Sequence, residues 1–326
     1  MSRTIRTVGL VLFGVGLVIP LLLPNQYYVY VFNRGLINAI AVLGLVLLFG
    51  LAGQISLGHV AFFSVAAYTS AILTMKVGLP VLCSMVIGTV LAGICGALLS
   101  IPAFQLTGPF LAICTVAFGE VVRLLILNWV DLTNGPYGLH MIPPLRVGSL
   151  RVTSEYLWYY VLLFLTVGVA LVAWRIRYSY IGRAFMAIRE DETAADIIGV
   201  DVRKYKTIAF VSAAVFAGIA GALYAHLSGF LSPESLTGQE SNNFFSMAVV
   251  GGSDSIFGGI LAGVSLTLLP ELMRFLQEYY MMIYGLLVLI IVLFPPDKGQ
   301  AILDWLQRPF SSRKDGTQVP MGGDGV

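Results

Sequence analysis

The sequence predicts an all-α, polytopic transmembrane helical bundle of about eight to ten membrane segments, and three observations lead to it. Hydrophobic residues make up 58% of the 326 residues and charged residues only 11%, with a mean hydropathy of +0.88, values outside the habits of soluble domains. Apolar runs of about 20 residues, enough to cross a hydrocarbon core about 30 Å thick, recur along most of the chain. No alternating strand pattern for a barrel accompanies them. Lipid satisfies no backbone hydrogen bonds, so helices carry the fold.

In order along the chain, apolar spans are read at residues 8–23, 35–51, 59–75, 79–101, 106–127, 156–174, 207–226, 243–252, 256–273 and 281–295. Arg3 and Arg6 give the first run the look of a secretory signal. No small-residue cleavage site follows it, so retention as a span is expected. PNQ at 24–26 and TNGPYG at 133–138 punctuate the runs. The eighth run is too short to cross alone as a regular helix, and counting it as a crossing gives ten. The basic residues then fall mainly on one side: Arg3 and Arg6, the seven in 175–206 and the four after Pro296. That side is expected to be cytoplasmic, with both termini, leaving Arg34, Lys76, Arg146 and Arg151 on the other. Residues 1–296 form the expected membrane domain, and the polar, Gly-rich 297–326 a cytoplasmic tail.

Several function classes are disfavoured. A net charge of +2 leaves no basic footprint for nucleic acid. Cys83, Cys95 and Cys114 sit in apolar runs without metal or redox spacing and are read as packing residues. His59 and His226 lie near span ends and His140 in a loop, with no metal spacing, so interfacial or hydrogen-bonded roles are expected. No Gly-x-Ser-x-Gly is present, and no catalytic residue is assigned. No Gly-x-x-x-x-Gly-Lys-Ser/Thr occurs either, so ATP is not bound in that way. Active transport would draw on a separate subunit or an ion gradient.

Inside the spans, Glu120 and Arg123 stand three apart on one helix face. A lone charge at the bilayer centre costs roughly 2.5–3.5 kcal/mol, so either a salt bridge between helices or a polar translocation route is expected. Two Gly-interrupted places, GLAGQISLGH at 50–59 and VGGSDSIFGG at 250–259, fall in opposite halves. Gln54, Ser56 and His59 in the first, and Ser253 and Asp254 in the second, are candidate pathway residues, since paired breaks often mark a substrate route. Ordinary close-packed turns are the other reading.

The most unusual stretch is GRAFMAIREDETAADIIGVDVRKYK at 182–206, with five acids and five bases in a chain otherwise so apolar. Read as one helix, Ile181, Ala184, Ile188, Asp191, Ala195 and Ile198 form a stripe that only Asp191 spoils. Arg183, Arg189, Glu190, Thr193 and Asp196 lie opposite, and Gly199 is a helix stop. A basic helix lying on membrane lipid explains the bases but not the acids. A charge-balanced face beside an apolar stripe suits a protein partner better.

GLAGQISLGHVAFFSVAAYTSA (50–71), FLAICTVAFGEVVRL (110–124), TNGPYGL (133–139), the charged stretch, FAGIAGALYAHLSGFLSPESL (216–236) and AVVGGSDSIFGGILAG (248–263) together resemble the permease subunit of branched-chain amino acid ABC transporters, in the larger of its two paralogous forms. The likeness covers roughly residues 35–296. It implies that 175–206 is a cytoplasmic coupling segment whose EAA-xxx-G loop docks into an ATPase. Thr193, Ala194, Ala195 and Gly199 match that loop, with Thr in the place of Glu and Glu192 just before it. Gly182, Arg183, Ile188 and Arg189 belong to the same expected coupling surface. The implied partners are two ATP-binding subunits using ATP and Mg, a paralogous permease and a periplasmic or extracellular solute-binding protein, in a bacterial-type inner membrane. No cofactor is expected in this chain. The implied substrates are branched-chain or related hydrophobic amino acids, with urea, amides or aromatic acids carried by similar permeases. A self-sufficient ion-coupled carrier or channel using Glu120 and Arg123, and a membrane anchor with the island as adaptor, are the competing classes.

Overall fold

A computed structural model describes residues 25–104, 106, 108–147 and 150–272, with a few isolated positions towards either end. Most of the predicted spans 8–23 and 281–295, and all of the tail 297–326, lie outside the described residues. The chain forms α1 (Gln26–Leu45, prolonged as a π-helix over Val46–Leu51), α2 (His59–Ile72, prolonged over Leu73–Val77), α3 (Val81–Ala103) and α4 (Pro109–Asn128). A loop with β1 (Leu139–His140), β2 (Arg146–Val147) and β3 (Leu150–Arg151) leads to α5 (Glu155–Arg177). Then come α6 (Tyr180–Glu190), α7 (Glu192–Ile197), α8 (Val202–Ser228), β4 (Phe230–Leu231), α9 (Gly238–Val250) and α10 (Ile256–Leu272).

Among the described residues, six helices are long and apolar enough to cross a membrane: α1 to α5 and α8, with the π-helical extensions included. Each matches a predicted span. The short eighth run is α9, whose 13 residues rise about 20 Å, too little to cross a 30 Å core alone; together with the stretch from β4 at the far end it returns the chain to Asp254 at the island end. The expected segment at 175–206 narrows to 178–201, because α5 runs to Arg177 and α8 begins at Val202.

α8 is the centre of the bundle and packs on α1, α2 and α3. Ala213, Ala214, Ala217 and Ala220 are all fully buried on it. Membrane helices gain nothing by hiding apolar surface from lipid, so they associate where small residues let backbones approach. Gly221 is such a place, for a Cβ there would stand 2.0 Å from the Phe63 carbonyl oxygen of α2.

One end of the bundle gathers the charged island and the turns beside it. Ser100 Oγ donates to Thr207 Oγ1 at 3.2 Å, and Gly50 packs against Ser253, where a Cβ would fall 1.6 Å from the carbonyl oxygen. At the far end β1 pairs antiparallel with β4 and β2 with β3. Lys76 Nζ donates to the Asp131 carbonyl there. His226 joins Ser70 Oγ at 2.8 Å and the Pro143 carbonyl at 2.7 Å, fastening the loop to α2 and α8.

Residues 52–58 do more than turn. After Gln54 the chain runs back into the bundle, where Leu57 N donates to Thr115 Oγ1 at 3.0 Å. His59 Nε2 meets the Ala41 carbonyl oxygen at 3.0 Å, so α2 starts about 9–15 Å in from the island end. Its N-cap, Gly58, has no side chain to offer. Ser241 of α9 supplies one, accepting from Val60 N at 2.8 Å. Two discontinuous helices therefore meet inside the bundle.

Gly221→Ala is expected to cost about 1–3 kcal/mol through forced separation of α2 and α8. Gly168→Ala, with nothing within 4 Å of the new Cβ, is expected to leave the thermal-unfolding midpoint in detergent where it was; equal midpoints for the two variants would count against this packing.

Candidate functional site

The island is built by caps. Ser179 Oγ accepts from Ile181 N at 3.1 Å and Gly182 N at 3.4 Å and starts α6. Asp191 then leaves the helix (φ −158°, ψ 114°) and starts α7, its Oδ1 accepting from Thr193 N at 2.8 Å and Ala194 N at 3.0 Å. The single helix expected across Asp191 is thus two, and the residue that spoiled the stripe is the cap between them. α7 stops at Gly199, whose φ of +87° suits glycine. Gly199 N donates to Asp196 O at 2.9 Å and Val200 N to Ala195 O at 3.0 Å, the paired bonds of a Schellman end.

The apolar stripe is divided between the inside and the outside of the island. Ala184, Ile188 and Ala195 are buried against this same chain, with Phe185 fully buried beside Tyr205 (ring centroids 6.5 Å). They pack within this chain and hold the island to the bundle. The most exposed apolar residues of the island are Ile197 and Ile198, at 80% and 75%, with Tyr178, Tyr180 and Met186 exposed on the side of α6. Arg183, Glu190, Thr193, Ala194 and Asp196 are exposed around them.

Polar contacts join the island to both helix breaks. Arg189 Nη1 donates to the Gly50 carbonyl oxygen, and its side chain lies on Gly53, Cγ standing 3.1 Å from where a Cβ would be. Glu192 Oε1 is 2.6 Å from Nζ of Lys206, a residue only 1% exposed. That ammonium has no aligned hydrogen bond, so the attraction is one of charge. Gln54 Nε2 donates to Ala52 O at 3.3 Å and approaches the same Glu192 oxygen at 3.5 Å. On the other side, Arg177 Nη2 donates to Asp254 Oδ2 at 3.0 Å. Gln54, Ser253, Asp254, Arg189 and Glu192 are therefore brought into one neighbourhood.

Ser56 and His59 are fully buried farther inside, at the start of α2. Lys206 and Arg177 were missed as individual residues. They read as two more bases in a basic segment, and no local spacing links Lys206 to Glu192, fourteen residues earlier. Asp201, which caps α8 by accepting from Lys204 N at 3.0 Å, is the one nearby signal, since it fixes where that helix starts.

Glu120 and Arg123 lie elsewhere. Arg123 Nε donates to Glu120 Oε1 at 3.1 Å and Oε2 at 2.9 Å, so among the described residues the pair closes within one turn of α4 and does not bridge two helices. The glutamate side chain is 49% exposed. It sits about 16 Å along α4 from Pro109 and about 12 Å from Asn128, near the middle of that helix. Phe110, Ile113 and Leu125 are exposed on the same helix.

The family model for the permease component of branched-chain amino acid transport systems matches residues 27–292. The chain belongs to that family. It is 37% identical over 297 residues to the high-affinity branched-chain amino acid transport system permease protein LivM of Escherichia coli K12, covering 84% of this permease and 69% of the relative. It is 36% identical to LivM of Salmonella typhimurium over the same shares. The LivH protein of Escherichia coli K12 is 26% identical over 285 residues, 79% of this permease and 89% of the relative. No solved structure matches the chain. Family and helices together make it a multi-pass membrane transport subunit.

Glu192→Gln is expected to destabilise the permease by about 1–3 kcal/mol, because it leaves the Lys206 ammonium buried without its counter-charge. Lys206→Met in the same background is expected to restore most of that loss; two additive penalties in the double-mutant cycle would show that the pair does not interact.

Proposed function

We propose that this chain is the membrane-spanning subunit of an ATP-driven importer for branched-chain or related hydrophobic amino acids. It works with two ATP-binding subunits, a paralogous permease and a solute-binding protein on the outer face. The observation that carries the reading is the island: a capped pair of helices anchored from below, with an apolar tip left outside. Lys and Arg crowd this end of the described chain, which supports placing it, and both termini, in the cytoplasm of a bacterial-type inner membrane.

The geometry suggests how ATP hydrolysis on the partners, with Mg, would drive transport. Ile197 and Ile198 would enter a groove of an ATP-binding subunit, while Arg183, Glu190 and Asp196 set register. Movement of α7 would act on Glu192 and Lys206, and movement of α6 on Arg189, which holds Gly50. Arg177 and Asp254 would carry the same displacement to the other break. Both discontinuous helices would then shift as the bundle changes between outward- and inward-facing arrangements. Glu120 and Arg123, charged and half-exposed at mid-depth, are poorly suited to lipid. We place them on the wall of the translocation route, where the face of α4 meets the paralogous permease.

Ile198→Glu is expected to lower co-purification of the ATP-binding subunit about tenfold without changing the thermal stability of the permease. Ala195→Arg is expected to lower that stability, since Ala195 is 2% exposed within this chain. Normal association in Ile198→Glu would remove the contact from this tip. ATP-independent, proton-driven flux through the purified chain alone would replace the importer with a self-sufficient carrier.

A further inference from the structure

We infer that the hairpin of β2 and β3 holds the phosphate of an acidic phospholipid from the outer leaflet, gripped between the guanidinium groups of Arg146 and Arg151.

The two arginines stand directly opposite one another in the antiparallel register of β2 and β3. Residues so paired point to the same face of a ribbon, with Cβ atoms about 4.5–5.5 Å apart, and like charges placed there repel. Both arginines are exposed. Among the described residues neither takes part in a salt bridge. Glu155, the acid closest to Arg151 in sequence, is engaged instead by Asn33, whose Nδ2 donates to its Oε2 at 3.0 Å. Val152 N donates to Leu145 O at 2.9 Å and closes the base of the hairpin, so the chain keeps the two charges together. The bases of this chain gather at the island end, and two held side by side on the opposite side need a local reason. An anion between them supplies it.

Depth selects the anion. β2 packs on α3, which begins at Val81, five residues after Lys76 at the far end. α5 begins at Glu155, four residues after Arg151. Each of these two helices has 23 residues and is about 35 Å long, a little more than a 30 Å core. Their outer ends therefore lie where hydrocarbon gives way to headgroups, and the hairpin is tied to both. Leu82 and Val86 in the first turns of α3, and Leu157 in the first turn of α5, are exposed as lipid-facing residues are. Tyr27 and Tyr28, exposed at the start of α1 with ring centroids 5.8 Å apart, belong to the aromatic girdle of the same boundary.

The anion at that depth is the lipid phosphate. Each guanidinium offers paired donors in a fixed fork, and two forks on one face can take different oxygens of a single phosphodiester. A lone protein carboxylate would fill one fork and leave the other. A zwitterionic headgroup brings its own cation to the two arginines, whereas phosphatidylglycerol brings none, so the pair favours the acidic lipid. The loop that follows β1 carries the Pro143 carbonyl oxygen, which meets His226 Nδ1 at 2.7 Å near the end of α8. A lipid held three residues farther on thereby restrains the outer end of the central helix.

The test is hydrogen–deuterium exchange of the β2 and β3 amides, in the complex purified through this chain and placed in nanodiscs of phosphatidylcholine with or without phosphatidylglycerol. Phosphatidylglycerol is expected to slow this exchange about fivefold or more in the wild type. Inorganic phosphate added to phosphatidylcholine discs is expected to leave it unchanged. Arg146→Gln and Arg151→Gln are each expected to reduce the lipid effect, and the double variant to abolish it. Each variant is compared with itself in the two lipids, so a hairpin merely loosened by the substitution does not reproduce the result. Equal wild-type exchange in both lipids overturns the site. So does a phosphatidylglycerol effect that survives in the double variant, because the lipid then acts elsewhere. Slowing by inorganic phosphate, with none from phosphatidylglycerol, makes the pair a site for a free anion and overturns the lipid. Slowing by the solute-binding protein in phosphatidylcholine discs, lost in the double variant and without any lipid effect, assigns the pair to protein docking and overturns it as well.

Discussion

A helix that begins inside a membrane must find hydrogen-bond acceptors for its first N–H groups within the protein, because the bilayer core supplies none. α2 begins in this way, and the hydrogen bond from Val60 N to Ser241 Oγ is the contact on which the rest of the arrangement depends. It ties the start of one discontinuous helix to the first turn of another. Leu57 N on Thr115 and His59 on Ala41 fix the depth at which this happens. Once that depth is set, the chain between Gly50 and Gly58 has to descend to the island end and return. Gln54 is thereby placed beside Glu192, and Gly50 against Ser253.

The island has two kinds of surface with different work to do. Its inner side is apolar and charge-paired, with Ile188, Ala195 and Phe185 packed down and Lys206 buried against Glu192. A buried ammonium is a weak source of net stability but a strong constraint on geometry, because any displacement of Glu192 leaves it unpaired. Its outer side ends in two exposed isoleucines. The proposed passage of motion from a partner to the bundle needs a stiff link inward and a recognisable surface outward, and the caps at Ser179, Asp191, Asp201 and Gly199 provide the stiffness.

Much of the fold was legible because hydropathy is a strong signal in a chain this apolar, and each of the six long helices coincides with a predicted run. Gly199 was legible as a stop because a left-handed terminal residue has few other solutions. Asp191 was misread because periodicity treats a polar residue in a stripe as a flaw, whereas its side chain caps a new helix two and three residues on. The stripe's direction was invisible for a different reason. Amphipathicity shows that a helix covers something, and whether that is its own chain or another is set by tertiary packing. Glu120 and Arg123 were correctly paired by spacing, but spacing could not tell an inward face from the exposed one they occupy.

On the proposed reading the island meets its partner through the α7 tip, while Ala184, Ile188 and Ala195 hold it to its own bundle. A photo-crosslinking amino acid placed singly at position 198 and at position 188, in cells that assemble the complex, tests it most directly. Position 198 is expected to capture an ATP-binding subunit, and position 188 to give only links within this chain. Capture of that subunit from position 188, with none from 198, would contradict it.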